Sequence, residues 1–190
     1  MSARSSRPLI PRFSPRSAAS ACPCGCARCP SCRSATTVAR ESGAAAERAA
    51  PTAYSETVAV RYSDTDAQGH LYFANYMVYA DEVGGHYMEA LGLSAMNPQQ
   101  APCFIFTVNI NCDFVGECVA GDRVRVSVGY TRLGNASAEM AFYLASEATG
   151  EALASGSLTQ VFVDKQTRRA GGMPPGYREA IIARQPELAD

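Results

Sequence analysis

Residues 61–76 read RYSDTDAQGHLYFANY, with two carboxylates two positions apart, a Gly-His pair and then a run of aromatics. A carboxylate can ligate a cation, take a phosphoryl group, or attack or deprotonate next to a carbonyl. Each use makes demands on the neighbouring residues. Asp64-Thr65-Asp66-Ala67-Gln68-Gly69 opens like a calcium loop, but the twelfth position, where that loop needs a bidentate Glu, is Asn75. The preceding flank also reads as a strand where that motif needs a helix, so calcium is excluded. A D-x-D phosphoryl site needs its nucleophile directly after a buried apolar strand in a repeating βα fold. Arg61-Tyr62-Ser63 precede Asp64 instead, and Lys165, the chain's sole lysine, stands far from the pair. A plainer role is open to Asp64, whose side chain can bond nearby backbone N–H groups and shape a turn. His70 alone is more often a hydrogen-bonding structural residue than a catalyst.

These residues need elements to hold them. Thr57 to Tyr62 alternates in the manner of a first strand. From Phe73 to Leu91 the period becomes helical, with Tyr76, Ala80, Val83, Tyr87 and Leu91 on one stripe. Gly84-Gly85 inside that helix costs about 1 kcal/mol each relative to Ala. The pair is tolerable if something packs close to the helix backbone, such as a sheet curled around it. Gly92 supplies a stop. Four long strand-like runs follow, over Phe104–Phe114, Val124–Tyr130, Ala138–Leu144 and a stretch ending at Asp164. Turns at Gly121-Asp122, Gly134-Asn135 and Thr149-Gly150 divide them, which predicts a meander-like succession. A short helix from Gly176 to about Arg184 follows Pro174-Pro175. One long helix without βα repetition makes this an α+β chain, a strongly curved antiparallel sheet of about five strands around one central helix.

Asp64, Asp66, Gly69, Phe73, Asn75 and Tyr76, in that order at the start of a long helix, form a pattern that resembles the 4-hydroxybenzoyl-CoA thioesterase family of hot-dog folds. The likeness spans roughly residues 54–168 and includes the Gly121-Asp122 turn into the third strand. It implies hydrolysis of acyl thioesters of coenzyme A or acyl carrier protein, with no metal, no cofactor, and active sites at the interface of a homodimer or homotetramer. It implies that Asp66 is the catalytic nucleophile or general base and that the Phe73 backbone N–H is the oxyanion donor. An amide in the first turn of a helix suits that task, because it lacks an intrahelical partner and sits at the positive end of the dipole. Family members often carry Tyr or His where this chain has Phe73, so only the amide is carried over. Gly69, His70, Asn75, Tyr76 and Asp81 are the corresponding candidates for binding substrate. Gly69 would allow an unusual φ or close approach, and Asp81 matches a helix position that contacts the acyl group in aryl-specific members. A solvated helix acid is the plainer account of Asp81. Two other functions stay open: a non-catalytic protein that binds acyl thioesters, and an enoyl-thioester hydratase using Asp66 and His70. Hydratases on this kind of sheet place His five residues after Asp, and here the spacing is four.

Charge divides the chain. Residues 1–50 hold eight arginines and two acids, a balance of +6, whereas residues 51–190 hold nine basic and sixteen acidic residues, a balance of −7. The acidic part argues against nucleic acid as a partner, since phosphate backbones need clustered Lys and Arg. The leader over 1–50 has no acid before Glu41, is rich in Ser, Arg, Ala and Pro, and lacks an apolar core, which is the composition of an organellar transit peptide. Its Ser and Pro content points to the chloroplast, with the mitochondrion or a cytoplasmic protein as alternatives. Five of the eight cysteines lie in CPCGCARCPSC, residues 22–32, without an apolar framework to fix ligands, and read as compositional bias. Cys103, Cys112 and Cys118 read as small buried hydrophobes. No run approaches the roughly 18 apolar residues of a membrane span.

Overall fold

The computed structural model describes residues 50–189. The arginine-rich leader (apart from Ala50) and its cysteine run fall outside the described residues. Strand β1 (Tyr54–Ala59) leads through a 3-10 turn at Tyr62–Asp64 into helix α1 (Phe73–Ala90). Strands β2 (Phe104–Phe114), β3 (Arg123–Leu133), β4 (Ser137–Ser146) and β5 (Ala152–Val163) follow, then helix α2 (Pro175–Arg184) and a second 3-10 turn at Pro186–Leu188. All pairings are antiparallel in one five-stranded sheet of order β1-β3-β4-β5-β2. The α+β hot-dog architecture expected from the sequence is therefore present. Among the described residues, no helix is long and apolar enough to cross a membrane.

The succession of strands differs in one respect from a simple meander. β3, β4 and β5 are joined in sequence by turns, but β2 does not lie beside β3. β1 occupies that edge of β3, pairing Tyr54 with Val128 and Ala59 with Arg123. β2 instead crosses to the far edge and pairs with β5, from Phe104 opposite Val163 to Phe114 opposite Ala154. Alternation in sequence sets which face of a strand is apolar, not which neighbour it takes, so this crossover was not legible.

The concave face is built from every second residue of the inner strands. Val124, Val126, Val128 and Tyr130 of β3, Ala138, Met140, Phe142 and Leu144 of β4, and Ala154, Leu158 and Phe162 of β5 are all buried. The α1 stripe Tyr76, Tyr79, Ala80, Val83, Tyr87 and Met88 packs into them. Fully burying a Val, Leu, Phe or Met side chain stabilises a fold by about 1.5–3 kcal/mol, so this interface dominates the molecule. The double glycine has two explanations, one at each position. A Cβ on Gly84 would lie 2.3 Å from the Met140 Cε of the sheet, whereas a Cβ on Gly85 would lie 2.3 Å from the Met96 Sδ of the loop after the helix. The sheet accounts for Gly84 as expected. A loop methionine accounts for Gly85.

Candidate functional site

Asp64 organises the stretch between β1 and α1. It is 6 % exposed, and its Oδ2 accepts the Arg61 backbone N–H at 3.1 Å, the Arg61 Nε–H at 2.9 Å and the Tyr79 hydroxyl at 2.7 Å. Its backbone carbonyl accepts the Tyr72 N–H at 2.9 Å and the Asn75 side-chain amide at 2.8 Å. The carboxyl is lowered from its ordinary 3.8 to about 2, chiefly by the Arg61 hydrogen bond, with Tyr79 adding to it and burial opposing it. Burial, and after it the same contact, pushes the Tyr79 phenol upward, so it stays a donor. One residue thus ties the strand exit, the turn and the first two turns of α1 together. Arg61, three positions earlier, is a partner that sequence proximity could have suggested. Tyr79 is fifteen residues away and comes into reach only through the helix's rotation.

Asp66 stands at the tip of the hairpin that this frame supports. Its N–H donates to the His70 carbonyl at 2.8 Å, its own carbonyl accepts the Gly69 N–H at 3.0 Å, and Thr65 and Leu71 pair across the turn. Gly69 has φ +85° with open space around its Cβ position, so the glycine serves the turn's conformation and not a close approach. The Asp66 side chain is exposed, and Oδ1 accepts the Gln68 N–H at 2.8 Å. Leu71 then docks its N–H on the Cys118 carbonyl, and α1 begins at Phe73 with no side-chain cap. The hairpin places an exposed carboxylate before a helix end whose first amides have no intrahelical acceptor. Phe73 presents its ring to solvent and to Phe114, edge to face at 6.4 Å.

The remaining sequence candidates separate into two groups. Asn75 commits its amide to Asp64, and Tyr76 is buried with its hydroxyl 3.4 Å from the Gly116 carbonyl and 3.7 Å from the Cys118 Sγ. Both therefore hold the scaffold through these atoms within one chain. His70 is half-buried, bridges Val119 through its backbone and keeps its Nε2 3.7 Å from Glu117 Oε2. Asp81 lies further along α1. It is exposed, accepts the Thr107 hydroxyl at 3.2 Å, and stands on the wall of a cleft of about 450 Å³ between mid-α1 and the start of β2. Gly84, Gly85, Met88, Met96, Phe106 and Gln160 also line this cleft, and none but Asp81 was singled out there from sequence. Cys103 and Cys118 are buried and Cys112 half-buried, all three unbridged, with burial raising each thiol.

A cationic loop flanks the cleft. The Arg168 guanidinium lies 4.7 Å from the Phe104 ring centre and 5.8 Å from that of Phe106, and the Lys165 Nζ lies 5.8 Å from Phe104. Arg168 adopts φ +57°, an uncommon conformation for a side chain of its size, at the end of a turn that Asp164 closes by accepting the Gln166 and Thr167 N–H groups. Arg61, Arg123 and Arg132 are each paired with an acid, whereas Lys165, Arg168 and Arg169, like Arg125, Arg178 and Arg184, have no ion-pair partner among the described residues; the Lys165 ammonium donates to the Pro98 carbonyl.

Comparison with known proteins agrees with the fold. The Pseudomonas aeruginosa PA5185 protein superposes with a TM-score of 0.62 at 27% identity, covering 68% of this chain and 90% of that one. A 1,4-dihydroxy-2-naphthoyl-CoA thioesterase from Synechocystis gives 0.62 at 20% identity, covering 67% and 94%. A Thermus thermophilus thioesterase solved with coenzyme A and Zn gives 0.62 at 23% identity, covering 70% and 95%. The Bacillus subtilis protein YsmA is 25% identical over 125 residues, which is 66% of this chain and 82% of that relative. The model of the thioesterase-like superfamily matches residues 60–181, from the end of β1 into α2, and the chain belongs to that superfamily.

Proposed function

We propose that this protein hydrolyses acyl-CoA thioesters, with Asp66 as the reacting carboxylate and the Phe73 amide as oxyanion donor. The observation that carries the reading is an exposed carboxylate on a short hairpin that runs directly into an uncapped helix start, which Asp64 braces through Tyr72 and Asn75. A thioester carbonyl needs an oxygen to attack it and a donor for the charge that develops on its own oxygen. Asp66 serves the first need in one of two ways. As nucleophile it forms a mixed anhydride and expels the CoA thiolate, and water then cleaves the anhydride. As general base it takes a proton from water, the hydroxide adds to the carbonyl, and the proton returns to the departing thiolate. A single turnover in H2(18)O separates the routes, because only the anhydride route can leave an unlabelled product oxygen drawn from Asp66.

The reading includes a homodimer. β2 is an edge strand, and Phe106, Val108, Ile110 and Phe114 along it are exposed, as are Tyr72, Phe73 and Val78 nearby. An apolar row on an open edge suits a second copy of the same strand. The Phe114 end of β2 lies beside the start of α1, and its Phe106-Thr107 end lies beside the Asp81 cleft. Antiparallel pairing about a two-fold axis would bring the Asp66 hairpin of one subunit to the cleft of its partner. In this reading the unpaired cations at 165–169 meet the several phosphates of CoA, which favours CoA over the single phosphate of an acyl carrier protein's arm. Two structurally similar proteins are described with coenzyme A bound. We also carry forward a chloroplast address from the leader. A fusion of residues 1–50 to a fluorescent reporter tests it, and a diffuse cytosolic signal overturns it.

Release of free thiol from a panel of acyl-CoAs, followed with a chromogenic reagent, tests the activity. Asp66→Asn should lower kcat at least about 100-fold with the fold retained. Acyl-CoA binding without thiol release would make the protein a binding module. Loss of crotonyl-CoA absorbance without thiol release would make it a hydratase.

A further inference from the structure

The cleft beside Asp81 contains a polar group that the hydrolysis does not use. Gln160 of β5 faces inward, between Leu158 and Phe162 on the same buried row, and is 8 % exposed. The Tyr130 hydroxyl lies 3.1 Å from Gln160 Oε1 and 3.2 Å from Met88 Sδ. A phenol has one proton, and an amide carbonyl is a far better acceptor than a thioether, so the proton goes to Gln160. That bond fixes the orientation of the amide and leaves its nitrogen as the free end. The nitrogen has no protein acceptor among the described residues. Yet the only sealed, unpartnered side-chain N or O among them is the Ser155 hydroxyl, so Gln160 Nε2 opens onto the cleft it lines.

The rest of the lining makes this amide distinctive. Asp81 can only accept, and the Thr107 hydroxyl already donates to Asp81. Met88, Ala95, Met96, Ile105 and Phe106 bring apolar side chains to the same cleft, where the body of an acyl group can rest. An apolar acyl tail seated there would cover two N–H donors without satisfying them, whereas a tail ending in oxygen would satisfy one.

We propose that Gln160, oriented by Tyr130, is a specificity-determining residue that donates a hydrogen bond to an oxygen at the far end of the acyl group, so that the enzyme selects compact acyl-CoAs carrying a distal hydroxyl or carbonyl. This rests on the thioesterase reading above, with the cleft receiving the acyl part. Leaving one buried donor unpaired corresponds to discrimination of about 10- to 100-fold in kcat/KM.

The test uses matched substrates that differ by one oxygen: benzoyl-CoA with 4-hydroxybenzoyl-CoA, and hexanoyl-CoA with 6-hydroxyhexanoyl-CoA. Wild type should favour at least one oxygenated member by 10-fold or more. Gln160→Met keeps the volume and leaves Met88 as an acceptor for Tyr130, so the fold is expected to survive, as a thermal melt will show. In that variant the preference should collapse towards one, with the larger loss on the oxygenated member. Tyr130→Phe, which removes the donor that orients the amide, should reduce the preference partially and act on KM more than on kcat. A wild-type ratio near one for both pairs, or an unchanged ratio in Gln160→Met, overturns the proposal. Equilibrium binding of the same pairs to Asp66→Asn, with and without Gln160→Met, gives a readout independent of turnover. If wild type hydrolyses nothing, the thioesterase reading fails while the binding ratio still decides the role of Gln160.

Discussion

Asp64 and Asp66 have the same side chain and opposite situations. Asp64 is buried with three donors on Oδ2 and the Ser63 hydroxyl at 3.5 Å from Oδ1, and Asp66 is exposed with a single backbone donor on Oδ1. Because the Asp64 carboxyl is lowered in the folded state, its contribution to stability is fully present above its ordinary value near 3.8 and fades as pH falls towards about 2. The contribution is on the order of 1 kcal/mol, since Arg61 is largely in solvent and its attraction is screened. Asp64→Asn should lower Tm at neutral pH and flatten the loss of stability between about pH 4 and pH 2, as followed by thermal melts across that range. It should reduce kcat far less than Asp66→Asn. A D-x-D spacing was enough in sequence to mark the pair, and the resemblance assigned the chemistry to Asp66. The Tyr79 partner of Asp64 was hidden, because its hydroxyl reaches the carboxylate only after α1 has folded back over the turn.

At the scale of elements, boundaries were largely legible and neighbours were not. The helical stripe and Gly92 define α1 as Phe73–Ala90, and the four alternating runs correspond to β2 through β5. Strand order depends on which edges remain open once the sheet curls, and single-strand periodicity holds no record of that. The two helix glycines give a sharp contrast in packing. Met140 is fully buried against Gly84, whereas Met96 over Gly85 is 54 % exposed and free to swing out. Gly84→Ala should therefore destabilise, overpacking by about 1–3 kcal/mol outweighing the roughly 1 kcal/mol gain in helix propensity. Gly85→Ala should leave Tm unchanged or raise it, because the methionine can yield. Chemical denaturation of the two variants checks the difference in sign.

For the whole molecule, the decisive question is whether one chain holds a complete site. If the Asp66 hairpin works on the cleft of a partner, Ile110→Lys on β2 should give a folded monomer with little activity, seen by light scattering and thiol release. A stronger check is complementation. Asp66→Asn and a variant with the cleft filled, Gly85→Leu, are each expected to be nearly inactive. Mixed and re-equilibrated in equal amounts, they should recover about a quarter of wild-type activity, because half of the dimers would then hold one site with both parts intact. No recovery, with heterodimers demonstrated, would place hairpin and cleft function within a single chain.

The crossover of β2 also orders events in time. β3, β4 and β5 meet through short turns, so their pairing closes small loops and can form early. β1 must find β3 across the whole of α1 and β2, with Tyr54 opposite Val128, and β2 must find β5 across the entire meander, with Phe104 opposite Val163. Those two closures carry the larger entropic cost and come last. Both parts of the proposed reaction centre hang on them, the hairpin after β1 and the cleft beside β2. In native-state hydrogen exchange the amides of β4 should be the slowest and those of the two edges the first to open. A folding chain would assemble its core before its chemistry, so a partly folded form could be compact and still inert towards thioesters.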